Sequence, residues 1–159
     1  MQNFTIFEPE DGRIIKKIPR YQQFRAVHKT IERLKAGNTP KEKSGVVWHT
    51  QGSGKSLTMV FLTVKMRRDP ELRDYKLVFL TDRTQLDNQL TSTFTNAQNE
   101  TVHHADSVKS LKELLESDTS GIITAMVQKF QENADGFEFP VLNESEKIIV
   151  LADDDERSK

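Results

Sequence analysis

The residues with the clearest chemical potential stand at positions 49–56, in the order His-Thr-Gln-Gly-Ser-Gly-Lys-Ser. Gly52 and Gly54 allow the backbone to turn its N–H groups toward an anion, in conformations that a Cβ would obstruct. Lys55 adds a positive charge that can reach the β- and γ-phosphates of a nucleotide, and Ser56 offers a hydroxyl to Mg²⁺. This pattern predicts a phosphate-binding loop in which Lys55 is catalytic and Ser56 is a metal ligand. The predicted contacts to the nucleotide are Gly52, Ser53, Gly54, Lys55 and Ser56.

The flanking segments should position this loop. Residues 44–48 are apolar and predict a short buried strand before it, and the pattern from Lys55 to about Arg68 predicts a helix after it. The N-terminus of that helix would add partial positive charge at the phosphates. His49 stands where the strict pattern has its first glycine. The alternative is an ordinary glycine-rich turn with a surface lysine, and the strand–loop–helix context favours phosphate binding.

A second reactive group is acidic and follows the apolar run 147–152, which predicts a buried strand. In open parallel sheets, ligands bind at the carboxyl ends of the strands, where these acids stand. A carboxylate there can hold the Mg²⁺ of a bound nucleotide, and Asp153 is predicted to do so because it comes first. Asp154 beside it could orient the attacking water. The alternative is a solvated acidic segment; we expect instead that Lys55 and Asp153 converge on one magnesium triphosphate.

Composition limits the classes of protein that remain. The chain has 159 residues, of which 35% are hydrophobic and 30% charged, and this length suits one domain with its own core. The formal net charge of −1 provides no global basic field to attract nucleic acid. The absence of cysteine excludes disulfides, thiolate catalysis and zinc–sulfur sites. Because neither a signal peptide nor a membrane-spanning run is visible, we expect a cytoplasmic protein.

The remaining pattern predicts an α/β fold, with apolar strands that alternate with helices. Such an order is typical of a parallel sheet with helices on both faces. The predicted strands are 75–81, a short one at Val102, 121–127 and 147–152. The predicted helices are 20–34, 55–68, one that starts at 82–90 and 108–116, the last capped by Ser107.

The first of these helices has an apolar stripe beside two glutamines. We expect the stripe to face the core; it consists of Tyr21, Phe24, Val27, Ile31 and Leu34. Gln22 and Gln23 lie off or beside it. A glutamine amide can donate and accept at once, which suits an adenine edge, although such residues are more often solvated.

Several stretches stand in the order of superfamily 2 helicase motifs, and they cover the chain from about residue 19 to its end. They are 21–22, 50–56, 78–90, 123–130 and 148–153. The chain most resembles the motor (R) subunit of type I restriction enzymes, a helicase-like ATPase. The resemblance implies a P-loop NTPase fold in which residues 1–18 are a lead-in. Residues 19–159 would be the first RecA-like domain, ending just after its Walker-B strand.

The resemblance also implies roles at matched positions. Gln22 would read the adenine of ATP, and the turn with Thr81 and Arg83 would lie near the DNA backbone. Arg83 could pair with a phosphate there, although by itself it reads as a surface salt-bridge partner. The implied function is an ATP-dependent DNA translocase and endonuclease with ATP and Mg²⁺ as cofactors. Its implied partners are double-stranded DNA and the modification and specificity subunits of the same complex.

Two departures from the family pattern bear on activity. The family has Asp-Glu-x-His after the last strand, whereas this chain has Asp153-Asp154-Asp155-Glu156. Asp154 is one methylene shorter than the glutamate of the family pattern. A shift of about 1 Å in a water-positioning carboxylate can lower the rate on the order of a hundredfold. A second motor domain, which would close the ATP site, is also absent from these residues. We therefore expect weak nucleotide binding, negligible turnover and no DNA cleavage by this chain alone.

Two other functions remain open on the sequence. One is a P-loop remnant or interaction module that has lost hydrolysis, which the Asp154 and Glu156 departures would explain. The other is a small P-loop kinase, which would need an acceptor-binding lid that the sequence does not indicate.

Overall fold

The structure is a computed structural model, and it describes residues 4–10, 12–50, 52–81, 102–117, 120–126 and 141–153. These residues fall into two compact units, one that ends at Arg73 and one that begins at Asp74. The first is called the loop unit and the second the sheet unit. None of the helices in the described ranges has the length and apolar character that crossing a membrane would need.

The loop unit begins with an antiparallel hairpin of β1 (Ile6–Glu10) and β2 (Arg13–Lys17). Gly12, in the turn between them, has φ +74°, a conformation that glycine adopts without steric cost. Phe4, just before the hairpin, packs against Phe24 with the rings tilted by 51° and their centroids 4.8 Å apart. This contact attaches the hairpin to the first helix.

Helix α1 (Tyr21–Ala36) agrees with the predicted segment and ends where Gly37 donates its N–H to the carbonyl of Arg33. Val27, Ile31 and Leu34 are buried as the stripe predicted. Tyr21 and Phe24, the first two residues of the stripe, are 71% and 39% exposed, so their assignment to the core was wrong. Gln23 is buried instead, because both ends of its amide are hydrogen-bonded within the protein.

A single turn, α2 (Pro40–Lys43), follows, capped by Thr39, whose hydroxyl accepts from the N–H of Glu42. The buried strand predicted for residues 44–48 is absent. These residues pair with no strand in the described part of the chain, and Val46 and Trp48 are 94% and 75% exposed. Apolar residues give strand propensity, but a strand also needs a neighbouring edge with which to share its hydrogen bonds.

Helix α3 (Lys55–Arg67) begins at the first residue after the glycine loop, as predicted. It packs against α1, and most of its residues are buried around its whole circumference. A helix with apolar residues all round is a buried element of its fold. The loop that precedes it leads directly into its N-terminus.

The sheet unit contains four parallel strands in the order β4-β5-β3-β6. Their bounds are β3 (Lys76–Thr81), β4 (Val102–Ala105), β5 (Ile122–Met126) and β6 (Ile148–Ala152). The central strands β3 and β5 are almost wholly buried. The predictions of an α/β fold and of a parallel sheet are thus confirmed. The prediction that the strand at 147–152 is buried was wrong, because β6 stands last in the order of the described strands and Val150 is 56% exposed.

Helix α4 (Val108–Glu116) covers one face of this sheet. Ser107 caps it, accepting the N–H of Ser110 at 3.1 Å, as predicted. Leu111 packs with Val78 and Ile123 in the buried cluster between helix and sheet. The predicted helix at 82–90 and the segment 127–140 lie outside the described residues, and helices on the second face stay a prediction.

The C-terminal end of α4 is fixed by a buried lysine from the sheet. The ammonium of Lys76 donates to the carbonyls of Leu114 (2.8 Å), Leu115 (3.1 Å) and Ser117. Asn143 adds a second donor to Leu115, at 2.8 Å. The last carbonyls of a helix lack partners within the helix, and a cation there also complements the helix dipole. Lys76, the first residue of β3, thereby attaches the C-terminal end of α4 to the sheet.

Candidate functional site: a phosphate loop and a strand-end carboxylate

The glycine loop has the backbone geometry of an anion-binding turn. Gly52 and Gly54 have φ of +74° and +86°, and α3 starts directly after Gly54. Ser53 closes the turn, donating its N–H (3.2 Å) and its hydroxyl (2.6 Å) to the carbonyl of Thr50. Because left-handed glycines followed by a helix N-terminus direct N–H groups to one side, this loop can hold a phosphate.

The carbonyl of Gly54 is the point at which the loop is attached to the rest of its unit. It accepts the N–H and the hydroxyl of Thr58, both at 3.0 Å, and the Nε2 of Gln23, also at 3.0 Å. A Cβ on Gly54 would lie 2.8 Å from that Nε2. Gly54 therefore needs to be glycine both for its positive φ and for the close approach of Gln23.

The two adjacent glutamines of α1 differ in what they contact. Gln23 is only 3% exposed, and its Oε1 accepts the N–H of Arg20 at 2.9 Å while its Nε2 binds Gly54. Gln22 is exposed. The sequence did not assign Gln23 to the site, although its i+3 position from Arg20 fits a helix-capping side chain. The adenine-reading role of Gln22 stays a prediction.

Lys55 and Ser56 occupy the first two positions of α3 and are half-buried. Together with Gly52, Ser53 and Gly54 they form one continuous segment, so the structure brings the five predicted phosphate-binding residues together. Because Lys55 is the first residue of α3, the helix determines the position of the lysine backbone. Their contact with a nucleotide stays a prediction.

The strand-end carboxylate is positioned by the sheet. Asp153 directly follows β6 and donates its N–H to the carbonyl of Leu80 at 2.9 Å, which continues the ladder between β6 and β3. Its residue is half-buried. The backbone is thus fixed at the carboxyl end of the sheet, where the predicted metal-binding carboxylate should stand.

Thr81 is the neighbour of Asp153 at the end of β3. Its residue is 0% exposed, and its hydroxyl has no hydrogen-bond partner within the described residues. A residue that is wholly buried offers neither its side chain nor its main chain to DNA, so a DNA contact at this turn would have to come from another residue. Arg83 and Asp154 lie outside the described residues, so their predicted roles are untested. Lys55 belongs to the loop unit and Asp153 to the sheet unit, and their convergence on one triphosphate stays a prediction.

The fold and the loop together define the class of protein: an α/β protein with a RecA-like parallel sheet and a glycine–lysine phosphate loop. The family model of the SWI2/SNF2 ATPase matches residues 22–159, and the chain belongs to that family. Membership of an ATPase family agrees with the nucleotide cofactor that the phosphate loop predicts.

Curated relatives also match almost the whole chain. A Haemophilus influenzae protein, the type I restriction enzyme HindI endonuclease subunit, is 36% identical over 98% of this chain. A provisionally named MjaIXP endonuclease subunit of a type I restriction enzyme, from Methanocaldococcus jannaschii, is 40% identical over 90% of it. The chain spans 16% and 14% of the lengths of these two relatives. The resemblance to type I restriction subunits that the motifs indicated is confirmed.

Proposed function

We propose that this chain is the ATP-binding motor part of a type I restriction enzyme, a DNA translocase and endonuclease. The observation that carries the proposal is the preformed loop. Two glycines at positive φ lead into the N-terminus of a helix of 13 residues that is buried on all sides. A loop of this kind binds phosphate through backbone N–H groups and the helix dipole.

The residues present fit a magnesium nucleotide by the chemistry of their donors. Mg²⁺ takes oxygen ligands, and Ser56 and Asp153 are the hydroxyl and the carboxylate that we assign to it. Beside Asp153 lies the buried hydroxyl of Thr81, which has no partner among the described residues and is a second polar group at this end of the sheet. A bound Mg²⁺ neutralises charge on the β- and γ-phosphates. Lys55 would hold the same phosphates, and Gln22 would contact the adenine.

Further parts of the proposal come from the resemblance to the motor subunit of type I restriction enzymes. The partners would be double-stranded DNA and the modification and specificity subunits, and the compartment would be the cytoplasm. Arg83, in the turn that follows Thr81, would contact the DNA backbone, whereas Thr81 itself is buried. Such contacts position a protein on DNA without reading its sequence.

We expect the 159-residue chain alone to bind nucleotide weakly and not to hydrolyse it. Asp154 is one methylene shorter than the glutamate of the family pattern, so a water held by it would be displaced. A site that has lost hydrolysis and keeps only binding is the second candidate, and the same residue favours it.

The test is a titration of fluorescent ATP with Mg²⁺ against the wild type and Lys55→Ala. Removing a charged hydrogen-bond donor from a phosphate should weaken binding at least about tenfold, since such a bond contributes about 1.5–3 kcal/mol. Lys29→Ala is the control, because Lys29 is exposed on α1 in the same unit. Equal affinities of the wild type and Lys55→Ala would discard the proposal. Phosphate release measured on the same samples tests the expected lack of turnover.

A further inference from the structure

The hydroxyl of Thr81 is an unexplained buried polar group. Threonine at the end of a central strand is unremarkable in itself, and Thr124 on β5 is equally buried. The Oγ1 of Thr124, however, is 3.1 Å from the Nδ1 of His104. The Oγ1 of Thr81 has no such partner among the described residues. Buried hydroxyls without a partner are rare in native proteins, and they often mark a functional or ligand-binding role.

The strand register shows what stands beside this hydroxyl. Phe79 pairs with Leu151 across β3 and β6, and the bond from the N–H of Asp153 to Leu80 continues the same register. Two positions further along each strand, Thr81 is thus directly opposite Asp153. Paired residues of parallel strands point to the same face, with backbones about 4.8 Å apart. The unpaired hydroxyl and the strand-end carboxylate are therefore cross-strand neighbours on one face.

We propose that Thr81 is a positioning residue for the metal-binding carboxylate. Its hydroxyl, which has no partner among the described residues, would donate a hydrogen bond to one oxygen of Asp153 when that side chain turns toward it, and the other oxygen would remain for hydrated Mg²⁺. A carboxylate has two oxygens and several lone pairs, so it can accept both. Carboxylates that ligate metals are commonly held by such outer partners. The inference rests on the proposed function, since it assumes that Asp153 binds the metal.

The burial of Thr81 separates this role from contact with DNA. A side chain that is 0% exposed does not reach a DNA backbone, whereas a neighbour in the same sheet is within its range. Within the described part of the chain, the backbone of Asp153 is held by its N–H bond to Leu80 of β3. A hydroxyl from β3 would restrict its side chain as well.

The test compares Thr81→Val, which removes the hydroxyl and keeps the shape, with Thr81→Ser, which keeps the hydroxyl. In the full 159-residue chain, the affinity for fluorescent ATP is measured over a series of Mg²⁺ concentrations. Thr81→Val should raise the Mg²⁺ concentration for half-maximal binding about tenfold, as expected for an outer partner of a metal ligand. Binding of ATP without Mg²⁺ should not change, and Thr81→Ser should resemble the wild type. Adding Thr81→Val to Asp153→Asn should have no further effect on the Mg²⁺ dependence.

Thr124→Val is the matched control, because it removes an equally buried hydroxyl from the same face and should leave the Mg²⁺ dependence unchanged. An unchanged Mg²⁺ dependence in Thr81→Val overturns the inference. So does a Thr81→Val effect of full size in the Asp153→Asn background. If circular dichroism shows that Thr81→Val is unfolded, Thr81→Ala takes its place.

Thermal unfolding keeps this inference distinguishable from the proposed function. If wild type and Lys55→Ala bind ATP equally, the proposed function fails, and the melting temperatures in metal-free buffer then decide. Two groups that share a hydrogen bond should show non-additive shifts for Thr81→Val, Asp153→Asn and the double variant. Additive shifts, with Thr81→Val more stable than the wild type, would mean that the hydroxyl is only an unsatisfied buried group.

Discussion

The phosphate loop and the strand-end carboxylate are positioned in different ways. The loop is shaped within a few residues, by two left-handed glycines, the turn from Thr50 to Ser53 and the start of α3. Asp153 has no local motif of its own, and the carbonyl of Leu80 on a neighbouring strand fixes its backbone. The loop therefore depends on the conformation of particular residues. The carboxylate depends on the integrity of the whole sheet.

The largest effect is expected where the sheet unit is held together by a buried charge. Lys76→Met would remove a charged donor that three carbonyls at the end of α4 share, although Leu115 would keep its bond from Asn143. Bonds to charged groups contribute about 1.5–3 kcal/mol, so the free energy of unfolding should fall by about 3 kcal/mol. Urea unfolding followed by circular dichroism measures this.

Lys109→Met is the control for that change. Lys109 is on the exposed side of the same helix, and its ammonium is 3.8 Å from Glu113. An exposed pair of this kind contributes less than about 0.5 kcal/mol. Similar losses for the two variants would contradict the role assigned to Lys76.

The next effect concerns the loop itself. Alanine at Gly54, Gly52 or Gly12 places a Cβ at positive φ, which costs roughly 1–2 kcal/mol in each case. Of these three positions, only position 54 would also place the Cβ within 4 Å of another atom; the nearest is the Nε2 of Gln23, at 2.8 Å. Gly54→Ala should therefore lower the affinity for ATP most, by at least about tenfold, which corresponds to 1.4 kcal/mol.

Alanine variants of the other two glycines show whether ATP affinity responds to backbone strain anywhere in the unit or only to strain in the phosphate loop. Gly52→Ala should weaken ATP binding less than Gly54→Ala, and Gly12→Ala, in the hairpin, should leave it unchanged. Titrations of the three variants at one Mg²⁺ concentration provide the comparison. An equal loss of affinity in Gly12→Ala would show that general destabilisation, rather than loop geometry, is being measured.

A smaller effect is expected from the glutamine that connects the loop to α1. Gln23→Met keeps the volume but removes the bonds to Arg20 and Gly54, so stability should fall by about 1–2 kcal/mol. The carbonyl of Gly54 keeps both bonds from Thr58, which limits the loss. Gln22→Met, at the exposed neighbour, should change stability by less than about 0.5 kcal/mol.

Nucleotide selectivity separates the two glutamines further. If Gln22 contacts adenine, Gln22→Met should weaken the binding of ATP and leave that of GTP unchanged. Gln23→Met should weaken both, because it acts on the phosphate loop. Selectivity that changes in Gln23→Met and not in Gln22→Met would reverse the two assignments.

The same contrast explains what could be read from the sequence. The glycines, Lys55 and the helix after them were predictable because their geometry is local, and the apolar runs of β3, β5 and β6 predicted the parallel sheet. Residues 44–48 have the same apolar character but form no strand, since pairing depends on a partner edge that a sequence does not specify. Gln23 and Lys76 were missed because their roles depend on partners distant in the chain. Polar residues in such positions look like ordinary surface residues until the fold is known.

The smallest expected effect lies where the C-terminal end of α1 is joined to the segment that follows α3. Lys35 on α1 contacts Asp69, after α3, at 2.7 Å and Glu71 at 3.0 Å. The hydrogen bond from Lys35 lowers the pKa of Asp69 below its usual 3.8, and the bond to Asp69 raises the pKa of Lys35 above 10.5. A lowered carboxyl pKa stabilises the fold above pH 3.8 and ceases to do so as the pH falls through the folded value. A raised lysine pKa stabilises it below pH 10.5 and ceases to do so above the folded value.

Lys35→Met should therefore lower the melting temperature slightly at neutral pH, and the difference from the wild type should disappear as the pH falls below 3.8. Melting curves of both proteins from acidic to neutral pH measure this. Lys41→Met removes the same charge from α2, where the described residues provide no ion pair for it, and should produce no such pH-dependent difference. Because Lys35 joins α1, which carries Gln23, to the segment that follows α3, a parallel small loss of ATP affinity is expected at pH 7. A pH-independent difference in melting temperature would mean that the packing of the lysine stem, and not its charge, joins α1 to this segment.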